Sequence, residues 1–306
     1  MSGEDSLLGE WKDIKIVKSR EPDFSRFEKD IAIIWDGFKK TNPKTTDEPK
    51  IRLNYYRIEG DTMVVGLSEG ISFANVIYSD YITKTKGLPE IPSDTYGEMY
   101  DEFHARMPFA NATSVAGIVV FDPDDSYDVD NPNMKTLLNV RSKKVFGGNG
   151  TIGILINGYV DVGEINDSLL LDNLYREAEE ESMITRDEIV DTTFVGPSQT
   201  RGKSCDLVWV VRTNLSYESW KERWSKNVEK QSESSGVVPI RISDLQRIVD
   251  PEFVREILLE DGIISDELKL KVERKGIELN PLLRSLYPIM LAKRMSYYLD
   301  RMKGEK

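Results

Sequence analysis

The segment from Gly158 to Ile184 constrains this chain more than any other. It reads GYVDVGE, then INDSLLLDNLY, then REAEEESMI. Leu170, Leu174 and Ala178 recur every four residues, the spacing that lines one side of an α-helix and marks its buried face. Glu177, Glu180 and Glu181 follow Arg176 at spacings of one, four and five. On an ideal helix those carboxylates fall within an arc of roughly 100°. Acids crowded on one rim repel one another, so the pattern favours a hard cation between them. Oxygen ligands suit Mg²⁺, with Mn²⁺ as its substitute, and Mg²⁺ commonly bridges to substrate phosphates. The competing reading is a solvated acidic helix, which is common in acidic chains.

Charge narrows the partners. Lys and Arg number 41 against 53 Asp and Glu, a formal net charge of −12. Affinity for nucleic acid rests on clustered Lys and Arg, so neither a nucleic acid nor a membrane surface is an expected partner. A phosphorylated substrate held through metal ions stays compatible. One cysteine, Cys205, excludes an internal disulfide and a cysteine zinc cluster, and one histidine, His104, excludes a multi-histidine metal site. The first residues, MSGEDSLLGEWKD, lack the basic-then-apolar order of a signal peptide. No apolar run approaches the roughly 20 residues that span a bilayer. A cytoplasmic setting is the expectation.

The order of patterns predicts three parts. Residues 1–110 read as an α+β module. It has a helix over Phe27 to Phe38, a hairpin from Ile51–Ile58 and Thr62–Leu67 around Glu59-Gly60-Asp61, and helices near Phe73–Ile82 and Tyr96–Met107. Residues 111–250 read as the α/β domain carrying the acidic helix. Its strands are expected over Val115–Phe121, Lys135–Val140, Thr151–Ile156, Thr192–Val195, Leu207–Val211 and Val237–Ile242, with a polar helix over Ser216–Lys230. Helices and strands in this order suit an α/β/α sandwich with a mixed sheet. Residues 251–306 read as a helical extension packed on that domain. Its apolar stripe from Leu282 to Met295 has a dimer seam as its second reading.

The segment from Gly158 resembles the Nudix box: Gly, five residues, Glu, seven residues, Arg-Glu, apolar, any, Glu-Glu, any, Gly, apolar. Gly158, Glu164, Arg176, Glu177, Ala178, Glu180, Glu181 and Ile184 take those places. Eleven residues, not seven, separate Glu164 from Arg176, and Met183 stands where the family has Gly. Glycine there suits a left-handed helix end. With Met, the helix is expected to run past Ser182 or to leave in a right-handed turn.

Beyond the box, the stretches IAIIWDGF, PKIRLNYYRI, VVGLSEGISFANVIYSDYITKT and SESSGVVPIRISDLQRI, with the helix Pro281 to Met295, look like the Nudix subfamily that hydrolyses UDP-glucose and UDP-galactose. That resemblance implies Mg²⁺-dependent cleavage of a nucleoside diphosphate sugar to UMP and a sugar 1-phosphate. It implies metal ligation by Glu177, Glu180, Glu181 and the Gly158 carbonyl. The general base would be Glu164, by its place in the box, or Glu233, from the SESSG loop; a surface acid is the rival reading for each. Arg176 would orient the carboxylates through charge-assisted hydrogen bonds. Arg141, at the end of a strand, would bind phosphate, or sit solvated at the surface. Two other functions stay open: hydrolysis of another nucleoside diphosphate derivative such as ADP-ribose, and a Nudix-fold binding or regulatory protein with weak turnover.

Overall fold

A computed structural model describes residues 13–86, 110–124, 128, 130–141, 151–200, 204–226, 234–260, 262–264, 266–275 and 278–279. The described residues form a mixed α/β fold with parallel and antiparallel strand pairs. Two compact units share the chain. Unit 1 takes Met1–Val115, Gly158–Asn173 and Gly196–Leu207; unit 2 takes Ala116–Asn157, Leu174–Val195 and Val208–Lys306. They are interleaved along the chain.

In unit 1, strands β1 (Asp13–Lys18), β2 (Pro49–Glu59) and β3 (Thr62–Ser72) pair in the order β1-β3-β2. The β2–β3 hairpin closes at Glu59↔Thr62, leaving Gly60-Asp61 as the loop. Positive φ, 65°, falls on Gly60 alone of those two, as a type II′ turn requires. β1, which the sequence reading missed, runs parallel to β3 from Asp13↔Thr62 to Lys18↔Leu67. Its alternation is short and half exposed, so it gave little periodic signal.

Helices α1 (Glu28–Thr41) and α2 (Phe73–Lys86) match the two expected there. α1 has no fully buried residue. It is held by ring contacts instead: Trp35 and Phe38 lie 6.3 and 6.5 Å from Phe73, while Ile31 and Ile34 pack on Tyr78 and Ile82. The helix expected near Tyr96–Met107, with His104, lies outside the described residues.

Unit 2 holds all or part of each of the next strands. They are β4 (Ala112–Phe121, divided between the units after Val115), β5 (Lys135–Arg141), β6 (Thr151–Ile154), β7 (Ile156–Tyr159, divided after Asn157), β8 (Ile189–Thr200, divided after Val195), β9 (Ser204–Thr213, divided after Leu207) and β10 (Ser234–Arg241). β5 pairs antiparallel with β10 from Lys135↔Arg241 to Arg141↔Ser234, and with β6 across Leu138↔Ile154. Both faces of β4 and β9 are buried, so their sequences read as continuous apolar runs instead of alternating ones.

The helices of unit 2 are α3 (Leu169–Glu177, entering from unit 1), α4 (Tyr217–Ser225), α5 (Pro251–Glu260) and α6 (Asp266–Lys275). After β10 the chain forms a 3₁₀ helix over Ile242–Val249. In the tail, the two-residue strands β11 (Ile263–Ile264) and β12 (Glu278–Leu279) pair with β10 and β6, pieces not read from the sequence. The apolar stripe from Leu282 to Met295 lies outside the described residues. Among the described residues, no helix is long and apolar enough to cross a membrane.

Candidate active site: the acidic turn

α3 forms where the sequence places it. Leu170 and Leu174 are buried, Ala178 follows at the same spacing, and Asp172 lies in the first turn with Arg176 in the last. The helix does not stay α-helical through the acids. Ala178–Ser182 forms a single π-helical turn. This corrects the arc expected from 100° per residue, because the wider turn displaces Glu180 and Glu181 from their α-helical directions. Such bulges inside α-helices are frequent at functional sites.

The exit is a second correction. Met183 has φ 57° and ψ 27°, the left-handed conformation expected of glycine and not of Met. Its N–H donates to the carbonyls of Ala178 and Glu179, and the Ile184 N–H donates to Ala178 O at 3.3 Å. These bonds satisfy carbonyls that a helix end otherwise leaves open. A left-handed non-glycine residue costs roughly 1–2 kcal/mol. The Met183 side chain is buried, and that burial offsets the strain.

Arg176 joins two of the acids. One guanidinium nitrogen donates to Glu177 Oε1 at 2.7 Å and the other to Glu180 Oε2 at 2.8 Å. Glu177 is buried and Glu180 exposed. Glu181, half-buried, accepts the backbone N–H of Asn157 at 2.6 Å. Mutual repulsion of the acids is therefore relieved by a cation of the chain itself and by a backbone dipole. Among the described residues, no group of three His, Cys, Asp or Glu side chains converges as a metal cage. The donor set is all carboxylate, which fits a hard cation in chemistry. In the described arrangement two of those carboxylates serve Arg176.

Other expected site residues fall elsewhere. Gly158 lies in β7 and Glu164 is exposed in the loop after it; both belong to unit 1. In the same unit, Asp161 accepts from buried Lys50 at 2.8 Å, and its N–H donates to Asn173 Oδ1 at 3.1 Å. These bonds tie the start of that loop to β2 and to the helix Leu169–Glu177, a role not read from the sequence. Arg141 ends β5, opposite Ser234 in the ladder. Glu233 lies outside the described residues. Cys205 is buried in unit 1, and burial, with the charge of Asp206 adding to it, pushes its thiol up; it is an inert packing residue.

Three residues missed by sequence reasoning hold the end of the acidic turn. Trp220, on α4, donates its indole N–H to Ser182 O at 2.7 Å. Arg223, one turn on, donates to Met183 O at 2.8 Å and grips Glu188 through both carboxylate oxygens, at 2.7 and 2.6 Å. Glu188 also accepts the Thr185 N–H at 3.0 Å. The Arg223 guanidinium holds the Glu188 carboxyl down at about 2. The Thr185-x-x-Glu188 spacing was a visible capping signal. The partnership with α4 was not, since it joins residues 35 apart.

No protein-family sequence model matches the chain, and no curated protein matches it. Among solved structures, it is similar to a NUDIX hydrolase from Alicyclobacillus acidocaldarius, at 9% identity over 60% of this chain and 95% of that one, with a TM-score of 0.35. It is similar to the Ap4A hydrolase of C. elegans, at 16% identity over 48% of this chain and 92% of that one, with a TM-score of 0.27. It is also similar to the NUDIX domain of Shewanella oneidensis NrtR, solved with ADP ribose, at 19% identity over 35% of this chain and 62% of that one, with a TM-score of 0.25. Likenesses at this level are partial and carry no assignment of substrate or chemistry.

Proposed function

We propose that this chain is a Mg²⁺-dependent Nudix-type pyrophosphatase acting on a nucleoside diphosphate sugar. UDP-glucose or UDP-galactose is the first candidate, with UMP and hexose 1-phosphate as products. The observation that carries the reading is the acidic turn: Arg176, Glu177, Glu180 and Glu181 follow Gly158 and Glu164 in the order of the Nudix box. The helix that bears them breaks into a π turn at the acids.

A diphosphate resists attack because its oxygens are anionic. A divalent ion held by Glu177, Glu180 and Glu181 would offset that charge and lower the pKa of a bound water. Arg176, which bridges Glu177 and Glu180, would orient those two carboxylates through charge-assisted hydrogen bonds. Glu164 and Glu233 are the proposed alternatives for the general base, and Arg141 is proposed for phosphate. A homodimer through the tail remains part of the same proposal.

The test is a panel of UDP-sugars, ADP-ribose and other nucleoside diphosphate sugars with and without Mg²⁺, read by product chromatography. UMP and sugar 1-phosphate would place water attack on the diphosphate. UDP and free sugar would place it at the glycosidic carbon and reject the proposal. Preference for ADP-ribose would reassign the substrate. Ligand binding with no turnover of any member would make the chain a binding protein.

A further inference from the structure

We propose that Arg223, with Glu188 behind it, is a positioning residue for the acidic turn: it clamps the left-handed exit at Met183 and so does for this chain what glycine does at such helix ends. Three observations in unit 2 carry this. Met183 holds φ 57° without being glycine. Consecutive carbonyls at that exit, of Ser182 and Met183, are each taken by a side chain of one helix, Trp220 at 2.7 Å and Arg223 at 2.8 Å. The Arg223 guanidinium cannot swing away, because both its terminal nitrogens are engaged by Glu188, which is itself tied to the Thr185 N–H. A planar fork held at both ends is a rigid donor, which a lysine cannot reproduce.

The consequence reaches the acids through the backbone. Glu181 lies two residues before Met183, inside the π turn, and its carboxylate meets the Asn157 N–H at 2.6 Å. If the exit relaxed to a right-handed turn, the π turn would lose its closing bonds from Met183 and Ile184 to Ala178. Glu180 and Glu181 would then change direction. Arg223 touches no acid of the turn and acts only through the Met183 backbone and Glu188.

Amide hydrogen exchange tests this without reference to turnover. The Ile184 amide reports the closing bond and the Asn157 amide reports Glu181; the Val210 amide, in the core, reports global opening. Arg223→Gln should speed exchange at Ile184 and Asn157 by roughly tenfold, the size expected for a lost charge-assisted bond. Exchange at Val210 should change far less. In a Met183→Gly background the same substitution should have an effect below about threefold, because glycine adopts the conformation unaided. An equal effect in both backgrounds would make Arg223 a general stabiliser and overturn the proposal, as would unchanged exchange in the parent. Should Arg223→Gln fold poorly, Glu188→Gln weakens the same clamp and must show the same coupling.

The link to the acids rests on the proposed hydrolase reading, and calorimetry with Mn²⁺ tests it. Affinity should fall on Arg223→Gln and recover with Met183→Gly added. A wild-type chain that turns over no substrate would remove the hydrolase reading while leaving the exchange coupling to decide the clamp.

Discussion

At the residue scale, Met183 shows how local preference yields to packing. Left-handed backbone disfavours Met by roughly 1–2 kcal/mol. Burying a side chain of this size contributes about as much or more. Met183→Gly therefore removes strain and packing together, and a net loss of about 1–3 kcal/mol in urea unfolding is expected; a gain would mean the side chain is dispensable. Among the acids, Glu180→Gln and Glu181→Gln change charge with little change in volume. Turnover should drop by about 10²–10³-fold while the melting temperature holds, since the lost contribution is charge stabilisation in the transition state. Near-parental rates at saturating Mg²⁺ would remove both from the metal site. Glu188 sets an acid limit. Its folded pKa, about 2, lies below the ordinary 4.5, so the unfolded chain binds the proton more tightly. The stability it confers is present above 4.5 and drains away as pH falls toward 2. The difference in melting temperature between parent and Glu188→Gln should therefore shrink across that interval; a constant difference would contradict the pairing with Arg223.

At the element scale, the π turn is the feature that periodicity could not foretell. Leu170, Leu174 and Ala178 repeat as an α-helix should, and nothing in AEEES departs from helical preference. The extra residue is accommodated because α4 takes the exit carbonyls, a contact between elements distant in sequence. Deleting exposed Glu179 should let an ordinary α turn close and carry Glu180 and Glu181 about 100° around the axis. Helicity by circular dichroism should persist while hydrolysis collapses; retained activity would show that the π turn is not needed. α4 depends in turn on its cap, where Ser216 accepts the Ser219 N–H at 3.1 Å. Ser216→Ala should cost about 1 kcal/mol in urea unfolding. Its effect on exchange at Ile184 should be smaller than that of Arg223→Gln.

At the scale of the whole molecule, the net charge of −12 is a statement about substrates. An anionic chain would accept the proposed nucleotide sugar chiefly through cations, so apparent substrate affinity should rise steeply with Mg²⁺. Titrating Mg²⁺ at fixed UDP-sugar measures this, and a flat response would argue against metal-mediated binding. Stability at this scale also depends on close strand approach. A Cβ on Gly236 would lie 2.6 Å from the Ile263 carbonyl oxygen, where β11 joins β10. Gly236→Ala should destabilise by about 1–3 kcal/mol in thermal melts, because backbone must move to admit the methyl.

The sequence by itself determined most of the element order. The Gly60 hairpin, α1, α2, the start of α3 and the buried strands β4, β5, β9 and β10 were legible because period, turn chemistry and apolar runs are local properties. It also determined the charges that a site can use: Arg176, Glu177, Glu180 and Glu181 lie within six residues of chain. Short pieces such as β1, β11 and β12 were not legible, since they form by pairing with strands already in place. Only the tertiary structure decided how the acidic helix ends. Met183 takes a left-handed exit because Trp220 and Arg223, 38 and 40 residues beyond their carbonyl partners, hold it there. Local propensity weighs one residue against its neighbours, whereas those bonds come from a helix packed against the turn by the fold.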